Sequence, residues 1–338
     1  MRQGEKREKM TSPPSDFGVF QKITLFPFKV LILFAISMAL FCMPGYSQTA
    51  VGPNFYDDPS GSEIQGTRNP NSTLSILSWN IYLLPWIVPF KSQCKRAKAI
   101  AEVIAELDYD VIVIQEAFHN RARKILIERL LLHFPYQIEP QKGRFLKFNS
   151  GVFIISKIPM RLIDQIQYKE CKLFFQDCRA NKGATMVALE KDNQQFHLIA
   201  THLQAERGAR FDSIRESQFR EIYNRCIVPN NMPNIPVLVT GDLNTRLSTE
   251  NQYNSMLQIL NVKDGKLTGE FKFTYGGVLN DLKGKAVSKG KLLDYVLIDA
   301  NGTNINPGER KVKIFQKEWK KGKKDLSDHY AVEAILKF

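Results

Sequence analysis

The chain reads as an α/β protein on three grounds. Short apolar runs alternate with segments of helical period from residue 73 onward. No linker-like stretch divides that span. Polar residues of chemical interest recur beside the ends of the apolar runs, where α/β and β-sandwich proteins project their loops.

The elements follow in order. Residues 74–79 read as a strand. Residues 96–107 carry Ile100, Val103, Ile104 and Leu107 at the i, i+3, i+4, i+7 spacing of a helix face. Residues 111–114 are continuously apolar, which marks a buried strand. A helix over 122–134 and a strand over 151–156 come next. Residues 185–190 and 196–201 read as a strand pair around the turn at Asp192-Asn193. In 215–226, Phe219, Ile222, Tyr223 and Cys226 keep helical spacing. Residues 237–240, 293–298 and 330–336 supply the remaining strands.

At 338 residues and 43% apolar, the chain is too apolar to be wholly disordered and long enough to bury a sizeable core. Residues 30–43 form an apolar run broken only by Ser37, after a basic segment ending in Lys29. That run is shorter than the roughly 20 residues of a bilayer span and suits a signal-peptide core. Gly45 and Ser47 are the small residues expected before a cleavage site, so 1–47 reads as a signal peptide and the product as secreted or periplasmic. Residues 48–72, rich in Gly, Pro, Asn, Asp and Ser, read as a flexible leader, and 73–338 as a single domain.

The net charge is +13, of which the first 47 residues carry +3, leaving +10 on the remainder. A basic excess of that size implies a polyanionic partner: nucleic acid, a phosphate-bearing small molecule or an anionic membrane surface. Outside the signal peptide there are four cysteines. Cys171 and Cys178 are expected to close a small loop, whereas Cys94 and Cys226, in or beside helices, are expected to be free. No cysteine spacing resembles a zinc site.

Five signals at strand ends carry the chemistry: Ser78-Trp79-Asn80, Ile114-Gln115-Glu116, Thr201-His202-Leu203-Gln204, Gly241-Asp242-Leu243-Asn244 and Ser327-Asp328-His329-Tyr330. Glu116 offers a hard anionic oxygen and Asn80 a neutral one, which suits Mg²⁺ with its few protein ligands. Asp242 and Asn244 alternate in a segment expected to be extended, so both side chains point one way, Asp242 toward a water or histidine and Asn244 toward a phosphate oxygen. His329 beside Asp328 fits a base whose tautomer a carboxylate fixes, and His202 fits a donor to developing charge. Together these residues fit metal-assisted hydrolysis at phosphorus.

This ordered set resembles the endonuclease/exonuclease/phosphatase superfamily, and within it the secreted bacterial neutral sphingomyelinases. The finer likeness lies in Asn80-Ile81-Tyr82-Leu83-Leu84-Pro85 with Arg96-Ala97, and in Glu116-Ala117-Phe118-His119-Asn120. It continues in Asn181-Lys182-Gly183, His202-Leu203-Gln204-Ala205-Glu206, Arg215 with Gln218, Leu293-Asp294-Tyr295 and Ser327-Asp328-His329-Tyr330. The resemblance implies a four-layer sandwich of two packed mixed β-sheets flanked by helices. It implies a phosphodiesterase that cleaves sphingomyelin, or a related phospholipid, to ceramide and phosphocholine. The metal implied is Mg²⁺, with Mn²⁺ or Co²⁺ as substitutes, bound by Glu116 with Asn80 beside it. His329 would be the general base, Asp242 and Asn244 would position water and phosphate, His202 would stabilise the transition state, and Asp328 would orient or polarise the site.

Two departures follow from the same comparison. Asn120 would match one ligand of a peripheral metal, but Phe148-Asn149 stand where two acidic residues are expected. The aromatic hairpin before the final Asp-His is replaced by Glu318-Trp319-Lys320-Lys321-Gly322-Lys323-Lys324. Peripheral membrane docking is therefore expected through Trp319 and its lysines, each worth about 1 kcal/mol near an anionic surface. The expected partner is lipid rather than nucleic acid, and the expected state a monomer. The competing readings are a secreted Mg²⁺-dependent endonuclease, which the basic charge favours, and an inactive membrane-binding relative, which would carry a broken constellation.

Overall fold

The computed structural model describes residues 72–338 apart from 89–91, 144–146, 172–175, 284–288 and 306, and everything below concerns those residues. The expected signal peptide and all of the leader but Ser72 lie outside them.

Two mixed sheets build the domain. The first contains β1 (Thr73–Leu83), β2 (Val111–Ala117), β3 (Tyr136–Ile138) and β4 (Phe153–Ser156). β10 (Lys266–Thr268), β12 (Glu309–Lys313) and β15 (Ala331–Lys337) complete it, in the order β10-β12-β15-β1-β2-β4-β3. The second contains β5 (Met160–Gln167), β6 (Gly183–Lys191), β7 (Gln194–His202), β8 (Val237–Asp242), β9 (Lys263–Asp264) and β11 (Asp294–Asp299), in the order β5-β6-β7-β8-β11-β9. β13 (Gln316–Lys320) and β14 (Lys323–Asp325) form a separate hairpin. β1 runs parallel to β2 and antiparallel to β15; β7 runs parallel to β8 and antiparallel to β6. The turn between β6 and β7 is the expected one, with Asp192 and Asn193 both at positive φ, as a two-residue hairpin loop requires.

Period-two alternation gives each central strand two apolar faces. On β1, Leu74 and Ile76 join the core shared with the second sheet, whereas Leu77, Trp79, Ile81 and Leu83 face the other way. There they meet Ile100 and Ile104 of α1 (Gln93–Ala105) and Leu126 and Leu130 of α2 (Asn120–Leu130). α3 (Ala209–Ile222) and α4 (Glu250–Leu260) contribute Phe219, Ile222, Met256 and Leu260 to the core of the second sheet. Helices outside two packed mixed sheets make the expected four layers. The 215–226 helix begins earlier, at Ala209, and its last turn widens into a π-turn over Tyr223–Ile227.

The alternation also places the polar residues. Continuing along the inner face of β1, Leu74 and Ile76 give way to Ser78 and Asn80 at the strand's end, both fully buried. β7 ends at His202 and β8 at Asp242, in parallel register. β11 runs back against β8 so that its first residue, Asp294, sits opposite Asp242. One end of the sandwich thus collects the polar set.

Cys171 and Cys178 form the expected disulfide, and Cys94 and Cys226 are free thiols. Trp319 departs from the expectation that it is a docking residue. It packs against the core that α1 covers, and its indole N–H donates to the Asp325 carbonyl at 2.9 Å. A ring whose polar handle is satisfied inside the fold is a poor membrane anchor. Trp86, in the turn after β1, is instead 76% exposed.

Gly241 offers a direct check on the packing of β7 against β8. Its φ is 147°, and a Cβ there would lie 1.9 Å from the Thr201 carbonyl oxygen. Gly241→Ala is expected to cost about 1–3 kcal/mol by overpacking, read as a lower urea midpoint at unchanged m-value. An unchanged midpoint would contradict this close approach.

Candidate active site

All seven residues singled out from the sequence gather at one place. Asn80 lies beneath a cleft of about 960 Å³ that Glu116, His202, Asp242, Asn244, Asp328 and His329 line. Asn80 ties the two sheets together: its amide nitrogen donates to Glu116 Oε1 at 3.0 Å and to Asp242 Oδ2 at 3.1 Å. Its carbonyl oxygen accepts from the Tyr82 backbone N–H at 3.1 Å. The structure therefore gives Asn80 the position of a bridge between carboxylates.

Glu116 reaches this point through a break in alternation. Ile112 and Ile114 face the helices, and strict alternation would send Glu116 after them. Its backbone instead takes a left-handed conformation, φ 58°, next to a register shift between β1 and β2 where Tyr82 has φ 53°. Glu206 and Asn244, also on the cleft, have φ 78° and 50°. Such backbone costs on the order of 1–3 kcal/mol per residue and persists where surrounding structure enforces it.

Arg96 is one enforcer. Its guanidinium is fully buried and donates to the carbonyls of Ile81 (3.0 Å), Tyr82 and Leu326 (2.7 Å). It clamps the irregular end of β1 to the segment bearing Asp328 and His329. Burial lowers its pKa to about 10, with the Asp328 charge acting in the opposite sense. Ser327 completes the clamp, donating to the Asn80 carbonyl at 2.6 Å and accepting from the His329 N–H at 3.1 Å.

Three sequence expectations are corrected. The carboxylate that orients His329 is Asp294, whose Oδ2 lies 3.0 Å from His329 Nδ1. Asp328 pairs with Lys283 at 2.6 Å instead. The segment from Asp242 to Asn244 is not extended, since Asn244 is left-handed and its N–H donates to Asp242 Oδ1 at 3.0 Å. Asn244 then turns its amide to the Leu203 carbonyl, 3.1 Å away, while still lining the cleft. The sequence reading also left Lys182, Lys283 and Tyr275 unassigned. Lys182 Nζ lies 3.2 Å from His202 Nε2 and donates to the Leu203 carbonyl at 2.8 Å. Lys182 stands just before the first residue of β6, the position that could have flagged it.

The electrostatics follow from crowding carboxylates out of water. Burial, then the charge of Asp294, push the Asp242 carboxyl up to about 7. Burial, then Asp328, raise Glu116. Burial alone would lower His329, but the charges of Asp294 and Asp242 overrule it and hold the imidazole well above its ordinary value. His202 goes the other way: burial, then Lys182 and His329, keep it neutral.

Glu116 Oε2, Asp294 Oδ1 and Asp328 Oδ1 are buried oxygens with no hydrogen-bond partner. Asp242, Asp294 and His329 each present one ligand atom, all within 4.8 Å of one another. Orphaned carboxylate oxygens around one point fit a hard divalent cation, which prefers oxygen ligands. No second group of this kind occurs among the described residues. At the doubted peripheral position, Asn149 spends its side chain on the Phe118 carbonyl and the Gly151 N–H.

Known proteins resemble this chain in sequence and in fold. The sequence model of the endonuclease/exonuclease/phosphatase family matches residues 77–329. A sphingomyelinase C of Leptospira interrogans is 33% identical over 261 residues, covering 71% of this chain and 46% of that protein. The chain thus spans less than half the length of the Leptospira relatives. A sphingomyelinase C of Bacillus cereus is 28% identical over 331 residues, covering 87% of this chain and 98% of that one. Among solved structures, a doubly substituted beta toxin of Staphylococcus aureus with bound magnesium ions superposes with a TM-score of 0.68 at 26% identity, covering 78% of this chain and 99% of that one.

Raised carboxyls take up protons on folding, so the cation-free protein is expected to lose stability as pH rises through about 7, where Asp242 must ionise. His329 acts in the same direction, and the opposing contribution of neutral His202 is complete above its ordinary pKa. A divalent cation competes with those protons. Its increment to the melting temperature is expected to be larger near pH 8 than near pH 5.5. Thermal melts with Mg²⁺ or EDTA at the two pH values check this, and an increment independent of pH would remove Asp242 and Glu116 from the cation's surroundings.

Proposed function

The chain belongs to the endonuclease/exonuclease/phosphatase family, and on that premise we propose that it is a divalent-metal-dependent phosphodiesterase that hydrolyses sphingomyelin to ceramide and phosphocholine. The observation that carries the proposal is the His329–Asp294 pair facing Asp242 across a cleft with an apolar wall of Leu84, Pro85, Ile87 and Val88. The sphingomyelinases among its relatives support the substrate.

In this reading Glu116 and the Asp242 side of the cluster hold the cation, Mg²⁺ first, with Mn²⁺ or Co²⁺ as substitutes. When bound, the cation supplies charge neutralisation at the phosphate and acidifies an attacking water. His329, once the charge of Asp242 is neutralised and its Nε2 is free, would receive a proton from the attacking water there, while its Nδ1–H donates to Asp294, which fixes the tautomer. The bond from water oxygen to phosphorus would form as the bond to the ceramide oxygen breaks; that oxygen would leave as the alcohol by taking a proton from solvent, and His329 would return its own to solvent. Neutral His202 and the adjacent Lys182 face the charge that develops on the phosphate and leaving oxygen. Asn80 holds Glu116 and Asp242 in place, and Asn244 meets a phosphate oxygen with its second amide N–H. Asp328, paired to Lys283, fixes the opposite wall.

Trp86 and Ile87, exposed beside the apolar wall, are the docking residues in this proposal, in place of Trp319. Export is retained, because the Cys171–Cys178 disulfide fits an oxidising compartment.

The test is phosphocholine release from sphingomyelin vesicles with Mg²⁺ and with EDTA, run beside plasmid DNA. Release only with Mg²⁺ and intact DNA is expected; nicked DNA with untouched lipid would overturn the substrate. His329→Ala is expected to lower turnover by about 10²–10⁴-fold in a chain that still unfolds cooperatively. Retained turnover would remove His329 as base.

A further inference from the structure

Three basic side chains cluster on the cleft. Arg207, Arg246 and Lys291 line the same cleft, and none of the three enters an ion pair with a carboxylate of the described residues. Asp212, whose charge reaches Arg246, is bonded to Arg215. The three basic groups feel one another: after burial, Arg207 lowers the pKa of Arg246, and Arg207 and Arg246 lower that of Lys291. Holding like charges together without counter-ions is unfavourable, and an anion placed among them relieves the repulsion.

The aromatic faces of the cleft point the same way. Lys283 Nζ lies 4.6 Å from the centroid of the Tyr82 ring, with Arg96 5.7 Å from it. Lys291 and Lys283 lie 5.0 and 5.5 Å from the Tyr275 ring. Faces that would attract a quaternary ammonium are already engaged by the chain's own cations. The basic cluster is therefore not where a choline group sits.

We propose that Arg207, Arg246 and Lys291 form an anion subsite beside the reaction centre that takes a second phosphate group, distinct from the one cleaved. Its source is the head group of an anionic lipid next to the substrate in the bilayer, or soluble phosphate; both present the same oxygens to the same three side chains. The lipid arm of the test rests on the phosphodiesterase reading, whereas the phosphate arm needs no turnover.

The first arm measures thermal unfolding with inorganic phosphate in EDTA, comparing the native chain with Arg207→Gln/Arg246→Gln/Lys291→Gln. A saturable rise in melting temperature that the triple variant loses is expected; a rise kept in full would overturn the subsite. The second arm measures hydrolysis of sphingomyelin vesicles with and without phosphatidylglycerol. Activation by the anionic lipid is expected to fall about fivefold per charge removed, the equivalent of about 1 kcal/mol each. Lys320→Gln/Lys321→Gln/Lys324→Gln, on the exposed hairpin, supplies the comparison. An equal fall there would mean diffuse surface attraction and no lipid subsite. Loss of the phosphate response without loss of lipid activation would assign the subsite to soluble phosphate. A triple variant that unfolds at the temperature of the native chain excludes misfolding as the cause.

Discussion

Four carboxylates at one end of the sandwich, Asp242 and Asp294 in immediate contact range of His329, set the terms for the rest of the structure. Glu116, Asp242, Asp294 and Asp328 converge from four separate segments, and close like charges in a low-dielectric interior repel steeply. Each is held by a donor chosen to offset that cost. Asn80 donates to Glu116 and Asp242, His329 lies against Asp294, and Lys283 pairs with Asp328. The compensation is incomplete, since one oxygen of Glu116, Asp294 and Asp328 is left without a partner. An incompletely neutralised buried anionic cluster is a site for a cation, and the same deficit explains why Asp242 and His329 both bind protons more firmly than usual.

Such a cluster needs a scaffold that does not relax. Moving a carboxylate by a small distance into solvent would relieve the repulsion, so the backbone has to deny that motion. Arg96 does this by spending a fully buried guanidinium on three carbonyls, two at the left-handed end of β1 and one just before Ser327. Removing a buried charge's partners, or the charge itself, leaves several polar groups unsatisfied at once. The left-handed backbone of Tyr82 and Glu116 persists because that clamp and the parallel pairing of β1 with β2 fix the chain on either side. The sequence motifs at Asn80, Arg96 and Ser327 are parts of one mechanical unit.

This explains which features were legible in the sequence. Strand ends carrying Asn80, His202 and Asp242 were readable because apolar runs announce the strands, and the polar residue that follows each run stands at its tip. The pairing of His329 was misread because adjacency in sequence suggested Asp328, whereas Asp328 pairs with Lys283 and the position falls to Asp294 on another strand. β5 escaped because a bulge between Leu162 and Asp164 breaks its period of two. α4 was missed although Tyr253, Met256, Leu257 and Leu260 carry helical spacing, because its exposed face is almost wholly polar. Trp319 looked like an anchor from its lysine neighbours, and only the fold of its hairpin onto α1 shows that its ring is half-buried against the core.

The cleft is built asymmetrically, and that asymmetry orders a substrate. Its lining combines the carboxylates, the apolar Leu84, Pro85, Ile87 and Val88 next to the exposed Trp86 in sequence, and the basic Arg207, Arg246 and Lys291. A phosphodiester with a hydrocarbon tail satisfies carboxylates and apolar residues together only in one orientation, tail along Leu84 to Val88 and phosphate over the carboxylates. In the reading proposed above, Arg207, Arg246 and Lys291 are then left for a second anion beside the substrate. Positive charge there raises the local concentration of anionic lipid around the bound substrate, while the carboxylates admit the scissile phosphate only with a cation to mediate. Under the proposed function, specificity would arise from three chemically different surfaces meeting in one cleft.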